Sequence, residues 1–225
     1  CPISQDVPAY LRAVREGRFD DAVDITRADN PVPSILGRVC DHLCETTCIR
    51  THLDQPLAIR DMKRFIMSHE AWPRVPERTS QTDAKVAIIG AGPAGIAAAQ
   101  DLALAGAKVT IFEAHPYPGG MVGGAIPEYR LPQADINQDM TILEELGVAI
   151  RYNHTAGEDF TLDDLQKDGF ERIFVAVGAQ LPKYLGVDGE DSEGVVDALR
   201  FLRSVRENDP MEVGPRVGVI GAGDT

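Results

Sequence analysis

The sequence predicts an α/β protein in which an α-helical N-terminal region precedes a parallel, doubly wound sheet. Residues 1–72 carry apolar side chains at helical spacing, separated by irregular stretches. From residue 85 onward, short apolar runs alternate with helical patterns, which is the order expected when helices connect parallel strands. Residues 73–84 hold two prolines and no apolar periodicity, so we predict a linker between the two regions.

Three helices are predicted in the N-terminal region. Asp6 can cap the first of them, whose first turn contains Pro8. A second short helix is indicated by the apolar residues of 19–25 and is broken by the prolines of 30–33. A third, amphipathic helix is predicted from the apolar spacing over 57–69.

The α/β region is predicted to contain strands and helices in alternation. The expected strands are 85–89, 108–112, 148–152, 171–177 and 216–220. The expected helices are 94–105, 133–146, 161–167 and 196–207.

A glycine-rich turn at 90–95, with the sequence Gly-Ala-Gly-Pro-Ala-Gly, joins the first strand to an alanine-rich helix. Gly90 permits a tight turn, Gly92 lets a pyrophosphate approach the backbone, and Gly95 lets the helix pack close to the strand. The second strand ends in Glu113, whose carboxylate can accept hydrogen bonds from a ribose diol. This order predicts a Rossmann-like unit that binds the ADP part of a dinucleotide, with the pyrophosphate at the helix N-terminus.

The composition excludes several partners. The 225 residues carry a net charge of −13, which argues against binding to nucleic acid or to an anionic membrane surface. No apolar run reaches the roughly 18 residues that a transmembrane helix needs. We therefore expect a cytoplasmic protein, whose four cysteines are metal ligands or free thiols rather than disulfides.

The cysteines form a compact pattern. Cys40, Cys44 and Cys48 make a C-x3-C-x3-C run, and Cys1 is followed by a proline. Thiolates at short spacing suit an iron–sulfur centre or zinc. A Cys-Pro pair is typical of the last ligand in a ferredoxin-type run, whereas zinc sites more often show paired C-x2-C knuckles. Iron–sulfur ligation is favoured, and zinc or unligated thiols stay as alternatives.

Taken together, the motifs resemble one family over the whole chain. The N-terminal motifs are Cys1-Pro2, Asn30-Pro-Val-Pro-Ser-Ile-Leu-Gly-Arg-Val-Cys40, Asp41-His-Leu-Cys44-Glu-Thr-Thr-Cys48 and Ala58-Ile-Arg-Asp-Met-Lys-Arg-Phe65. The later motifs are the segment 85–95, Pro118-Gly-Gly-Met121, Ala125-Ile-Pro-Glu-Tyr-Arg-Leu-Pro132 and Val175-Ala-Val-Gly-Ala179. In this order they resemble the glutamate synthase small-subunit family, which includes the N-terminal half of dihydropyrimidine dehydrogenase.

The resemblance implies two nucleotide sites. FAD would occupy the first glycine-rich turn, its binding residues being Gly90, Gly92, Pro93, Ala94, Gly95, Glu113, Gly119, Gly120, Met121, Arg130, Thr155, Ala156 and Gly178. A nicotinamide nucleotide would occupy a second turn that begins at Gly221, Gly223, Asp224 and Thr225. The implied division is an iron–sulfur domain at 1–72, the first part of a FAD domain at 85–184 and the start of an NAD(P) domain at 185–225.

The resemblance also implies an oxidoreductase activity. Electrons would pass from NAD(P)H to FAD, then to [4Fe-4S] clusters, and then to a partner subunit or fused domain. The flavin carries this chemistry, so we assign no catalytic side chain. Two alternatives are an electron-transfer and docking subunit, whose partner carries all substrate chemistry, and a thioredoxin-reductase-like flavoprotein. The second alternative needs a later cysteine pair, and no cysteine follows Cys48.

The cysteine motif departs from the family at two points. The family places three further cysteines before the Cys-Pro pair, and there Cys1, Cys40 and Cys44 would serve one cluster while Cys48 joins the other. The family places Gln or Glu as a fourth ligand at the position of Lys63, and an ammonium group cannot ligate iron. Cys48 is the alternative fourth ligand within this chain, and a segment without a cluster is the other alternative. We also expect the chain to be a fragment that cannot oxidise NAD(P)H alone.

Overall fold

Four parallel strands and ten helices make up the computed structural model, which describes residues 1–77, 80 and 82–221. The N-terminal helices are α1 (Val7–Arg15), α2 (Phe19–Asp29), α3 (Pro33–Val39), α4 (Leu43–Thr46) and α5 (Ile59–Met67), with a 3-10 turn at Ile49–His52. The strands are β1 (Lys85–Ile89), β2 (Lys108–Phe112), β3 (Ala149–Arg151) and β4 (Arg172–Val175). The remaining helices are α6 (Pro93–Leu104), α7 (Met121–Gly124), α8 (Gln133–Glu145), α9 (Leu162–Lys167) and α10 (Ala198–Arg206).

The sheet has the strand order β3-β2-β1-β4, and every neighbouring pair is parallel. Ile88 at the centre of β1 pairs with Ile111 of β2 and Phe174 of β4. Alternate side chains of β1 enter different cores: Ile88 packs with α6 and α8, whereas Ile89 packs with Phe112 and the α9 region. Helices therefore cover both faces, and the predicted doubly wound architecture is confirmed.

The N-terminal helices share part of this core. Helices α1, α2 and α5 enclose a smaller cluster that includes Tyr10, Val23 and Ile66. Helix α3 instead lies against α8, and its Ile35 side chain packs in the large core beneath the sheet. A Cβ atom at Gly37 would stand 3.0 Å from the Cα atom of Arg64, so α3 and α5 approach closely.

A buried ionic network joins the two regions. The guanidinium of Arg27 donates to both carboxylate oxygens of Glu70, with Nη2 to Oε2 at 2.6 Å, and to Oδ1 of Asp139 at 3.3 Å. Asp139 also accepts the backbone N–H groups of Ser34 at 3.2 Å and Ile35 at 2.9 Å, in the first turn of α3. Burial raises the pKa of Asp139 to about 6, so its carboxylate is still ionised at neutral pH.

Most sequence-predicted elements are confirmed to within two residues at each end. The Asp6 side chain accepts the N–H of Ala9 and caps α1 as expected. None of the described helices has the length and apolar character that crossing a lipid bilayer requires.

The prediction of a strand at 216–220 was wrong. This segment pairs with no strand in the described part of the chain, and its apolar residues face solvent, with Val217, Val219 and Ile220 exposed by 64%, 82% and 84%. A strand needs a hydrogen-bonding neighbour, and the apolar pattern alone supplies none. The sequence pattern also missed α3, which is short and begins at a proline.

The ionic network gives a stability prediction. Asp139→Asn replaces one accepting oxygen with an NH2 group that faces backbone N–H donors, and it removes the charge beside Arg27. We expect the free energy of unfolding of the full-length protein to fall by about 2 kcal/mol in urea titrations. The matched control is Asp188→Asn at an exposed position. If Asp139→Asn lowers the free energy of unfolding no more than Asp188→Asn does, the stabilising role of the ionic network is contradicted.

Candidate nucleotide cleft and cysteine site

A cleft of about 360 Å³ opens at the carboxyl ends of β1, β2 and β4. Ligands of open α/β folds bind at this edge of the sheet. The sequence-predicted residues that line the cleft are Gly90, Gly92, Pro93, Ala94, Glu113, Gly120, Met121, Thr155, Ala156 and Gly178. The predicted first glycine-rich turn and the later glycine motifs therefore meet at one place.

The three glycines of the turn have different reasons to be glycine. Gly90 has φ +107°, and a Cβ there would stand 2.5 Å from the carbonyl oxygen of Ala176. A Cβ at Gly95 would stand 1.9 Å from the carbonyl oxygen of Gly90. At Gly92, φ is −75° and a Cβ would meet only the Cα of Gly120, at 3.9 Å. The protein itself therefore requires glycine at the first two positions, whereas the space at Gly92 is open to the cleft.

The N-terminus of α6 borders the same open space. Gly92 is its N-cap, and no side chain accepts the N–H groups of its first turn. Pro93 occupies the first helical position, where a missing N–H costs nothing. The remaining free N–H groups and the positive end of the helix dipole suit an anion such as a pyrophosphate.

Glu113 stabilises the turn through hydrogen bonds to the backbone. Its side chain is 5% exposed, with Oε2 accepting the N–H of Ala91 at 2.7 Å and Oε1 accepting the N–H of His115 at 2.8 Å. Each carboxylate oxygen keeps one further acceptor site, so a ribose diol can still bind here. The sequence predicted only the diol role, and the structure adds a second role in holding the turn.

A second loop closes over the turn. The N–H of Gly119 donates to the carbonyl of Ala91 at 2.8 Å. Gly119 and Gly120 both have positive φ, +104° and +53°, and a Cβ at Gly120 would stand 3.0 Å from the Cα of Gly92. The Gly-Gly pair thus allows close contact between two backbones, and it places Met121, the first residue of α7, at the cleft.

Some predicted residues lie elsewhere. Arg130 is exposed and is not among the residues that line the cleft. Gly221 is also exposed and away from it, while Gly223, Asp224 and Thr225 lie outside the described residues. The sequence analysis missed His115 and His154, which line the cleft. The only signal for them in the sequence is that they follow the ends of β2 and β3.

The cysteine segment lies against the helical cluster. Cys40 follows the last residue of α3, Cys44 lies in α4, and all four cysteines are free thiols. The backbone N–H of His42 donates to the sulfur of Cys40 at 3.4 Å. Hydrogen bonds of this kind stabilise negative charge on sulfur.

Helix α5 holds the cysteine loop in place. The N–H of Arg60 donates to Oε1 of Glu45 at 2.9 Å, and its Nη1 donates to the carbonyl of Cys40 at 3.4 Å. The described residues do not gather three or more His, Cys, Asp or Glu side chains in a metal-binding arrangement, and Cys1 is exposed. The ligand set of Cys1, Cys40, Cys44 and Cys48 therefore stays a prediction.

Hydrogen-bond donors near the cysteine segment nevertheless suit a bound group that accepts hydrogen bonds. The hydroxyl of Tyr10 is fully buried and has no partner in the part of the chain that is described. Lys63, the residue at the family's fourth-ligand position, is 5% exposed, and its pKa is lowered by burial and raised in part by Cys40 and Cys44. A buried hydroxyl without a partner, in the cluster against which Cys44 packs, suits a negatively charged sulfur centre.

Two families match the chain in order. The dihydropyrimidine dehydrogenase domain II, 4Fe-4S cluster family matches residues 1–74. The pyridine nucleotide-disulphide oxidoreductase family matches residues 84–225.

Three curated relatives cover the chain from end to end. An NADPH-Fe(3+) oxidoreductase subunit beta of Geobacter sulfurreducens is 42% identical over 237 residues, which cover 100% of this chain and 34% of the relative. An NADP(+)-dependent formate dehydrogenase subunit beta of Moorella thermoacetica is 39% identical and is covered to 35%. The glutamate synthase [NADPH] small chain of Escherichia coli K12 is 34% identical and is covered to 51%. The chain thus spans between about a third and about half of these relatives.

A solved structure agrees with the fold. Mycobacterium tuberculosis FprA in complex with NADPH superposes with a TM-score of 0.50 at 26% identity, covering 55% of this chain and 29% of FprA. The sequence resemblance to a family of flavin and iron–sulfur oxidoreductases is confirmed by the two family matches and by the glutamate synthase relative. Because the second match spans more than half of the sequence, the chain belongs to the pyridine nucleotide-disulphide oxidoreductase family, and the match to the dihydropyrimidine dehydrogenase domain II, 4Fe-4S cluster family lies before it at residues 1–74.

Proposed function

We propose that this chain is part of an oxidoreductase that passes electrons between NAD(P)H, FAD and a [4Fe-4S] centre, and from there to a partner subunit. The observation that carries the proposal is the open space at Gly92, which the protein does not fill and which lies at the free N-terminus of α6. The proposed division is an iron–sulfur domain at 1–72, a FAD-binding part at 85–184 and an NAD(P)-binding part from 185.

FAD fits the cleft residue by residue. The N–H groups of the first turn of α6 would bind its pyrophosphate, and the free acceptor sites of Glu113 would bind the adenosine ribose. Met121 and the Gly119-Gly120 pair would border the flavin side, with Thr155, Ala156 and Gly178 around the remainder. When bound, FAD would accept the two electrons of one hydride together and release them one at a time. The chain's own residues supply position and exclude water.

Names of the relatives support the other parts of the proposal. Those from Geobacter, Moorella and Escherichia are named as NADPH- or NADP-dependent, and each is called a subunit or a chain. We therefore propose a nicotinamide nucleotide site that begins at Gly221, Gly223, Asp224 and Thr225, together with a partner subunit. A cytoplasmic location is part of the proposal and is supported by the four free cysteines.

Electron transfer is tested with the full-length protein, purified anaerobically without partners. NADPH or NADH is supplied together with ferricyanide, and reduction of the acceptor is followed in the steady state. The proposal expects reduction with at least one of the two nucleotides. Reduction only after a partner subunit is added would instead favour the docking-subunit alternative, and no flavin reduction under either condition would refute the proposal.

The FAD site is tested at Gly92. Gly92→Val places a side chain in the path of the pyrophosphate, while its Cβ meets no described protein atom within 3.9 Å. A displaced pyrophosphate loses hydrogen bonds worth about 1.5–3 kcal/mol each, so flavin binding should weaken about tenfold or more. Flavin content is measured by absorbance after purification, and folding by urea titration.

The control for Gly92 is Gly214→Val. Gly214 also has open space around a Cβ and lies away from the cleft. This variant should retain flavin at the wild-type level. Equal flavin occupancy in Gly92→Val and in the control would show that the pyrophosphate does not bind at this turn.

The metal centre is tested at Cys44. We expect anaerobically purified full-length protein to contain iron and acid-labile sulfide, and Cys44→Ser should lower both by roughly half or more, because an alkoxide is a poorer ligand than a thiolate for this centre. Thr47→Ser, on the same exposed loop, is the control. Stoichiometric zinc without sulfide would refute the iron–sulfur assignment and favour a structural zinc site.

A further inference from the structure

The hydroxyl of Tyr10 is an orphaned donor inside the helical cluster. Tyr10 lies on α1 with no exposed surface, and its hydroxyl has no hydrogen-bond partner among the described residues. An unpaired buried hydroxyl costs about 1–3 kcal/mol, so native proteins rarely keep one. Phenylalanine would fill the same space without this cost. Keeping a tyrosine here indicates that the hydroxyl has an acceptor in the functional protein.

The cysteine sulfurs are candidate acceptors for this hydroxyl. Cys44 packs against the cluster that contains Tyr10, and Cys40 ends the helix that lies against α5. Burial, followed by the electrostatic effect of Cys44 and Cys40, raises the pKa of Tyr10. The phenol therefore stays protonated across the physiological range, and it acts as a donor.

Lys63 is a second donor with little exposed surface, and it lies on a different helix. It lies on α5 and is 5% exposed, but its Nζ atom, unlike the Tyr10 hydroxyl, is not among the fully enclosed polar atoms that lack a partner in the described part of the chain. A lysine is almost never this buried without a negative partner. Cys40 and Cys44 are the groups whose charge favours its protonated form. Helix α5 packs against α3, whose C-cap is Cys40, so both donors lie on helices that pack together with the cysteine segment.

We propose that the Tyr10 hydroxyl and the Lys63 ammonium donate hydrogen bonds to sulfur atoms of the metal centre bound by Cys40 and Cys44, and that they raise its reduction potential. Reduction adds negative charge that spreads over the sulfurs, so donors stabilise the reduced form more than the oxidised form. Both residues are positioning groups that tune the centre, and neither is a ligand. This inference rests on the iron–sulfur part of the proposed function and names the residues that set its potential.

The experiment compares Tyr10→Phe with wild type in the full-length, anaerobically purified protein. The midpoint potential of the iron–sulfur centre is measured by redox titration with EPR detection. Removing one hydrogen bond to a charged acceptor should lower the equilibrium constant for one-electron reduction about tenfold, which corresponds to about 59 mV. Tyr184→Phe, which removes an exposed hydroxyl, is the control and should leave the potential unchanged.

A second measurement separates tuning from a structural role. In metal-free protein the Tyr10 hydroxyl has no acceptor, so Tyr10→Phe should leave the urea midpoint of unfolding unchanged or raise it. A loss of stability in metal-free protein as large as the loss in the loaded protein would show that the acceptor belongs to the polypeptide. That result would overturn the inference.

Lys63→Met provides an independent arm, because methionine fills a similar volume without charge. It should also lower the midpoint potential, and it keeps the inference testable if Tyr10→Phe does not fold. If wild type contains iron and sulfide but the midpoint potentials of Tyr10→Phe and Lys63→Met are unchanged, this inference is overturned while the iron–sulfur assignment stands. Absence of iron and sulfide from wild type would overturn the iron–sulfur assignment together with it.

Discussion

The buried carboxylate of Asp139 is the constraint on which the rest of the structure depends. It accepts two backbone N–H groups at the start of α3 and lies beside Arg27, which is itself held by Glu70. Helix α3 is seven residues long, so about 10 Å of rigid helix separates this anchor from Cys40. The cysteine segment and the nucleotide cleft are therefore fixed to the same body.

The nucleotide cleft depends on close contact between two backbones. Gly90 and Gly95 are glycines because the protein leaves no room for a Cβ, and Gly120 is a glycine because it lies against Gly92. Gly92 differs, because the space beside it is open. Glu113 then holds the turn by two hydrogen bonds to backbone N–H groups. One motif thus combines residues that shape the protein with a residue that leaves space for a ligand.

The cysteine site shows a different balance of forces. Burial removes the Tyr10 hydroxyl from water, and nothing among the described residues offsets that cost with a hydrogen bond. Desolvated donors are unfavourable unless an acceptor arrives. This unpaired hydroxyl is the observation behind the hydrogen bond that we propose to the metal centre. The evidence for a ligand in the nucleotide cleft is different, because there it is open space and not an unpaired polar group.

The sequence by itself determined the α/β class, most of the helices and strands, and the nucleotide turn, because apolar periodicity and glycine chemistry act over a few neighbouring residues. Only the tertiary structure decided which residues meet. It packed α5 against α3, left Arg130 outside the cleft, and left 216–220 without a strand partner among the described residues. These outcomes depend on contacts between distant parts of the chain, and no local pattern encodes such contacts.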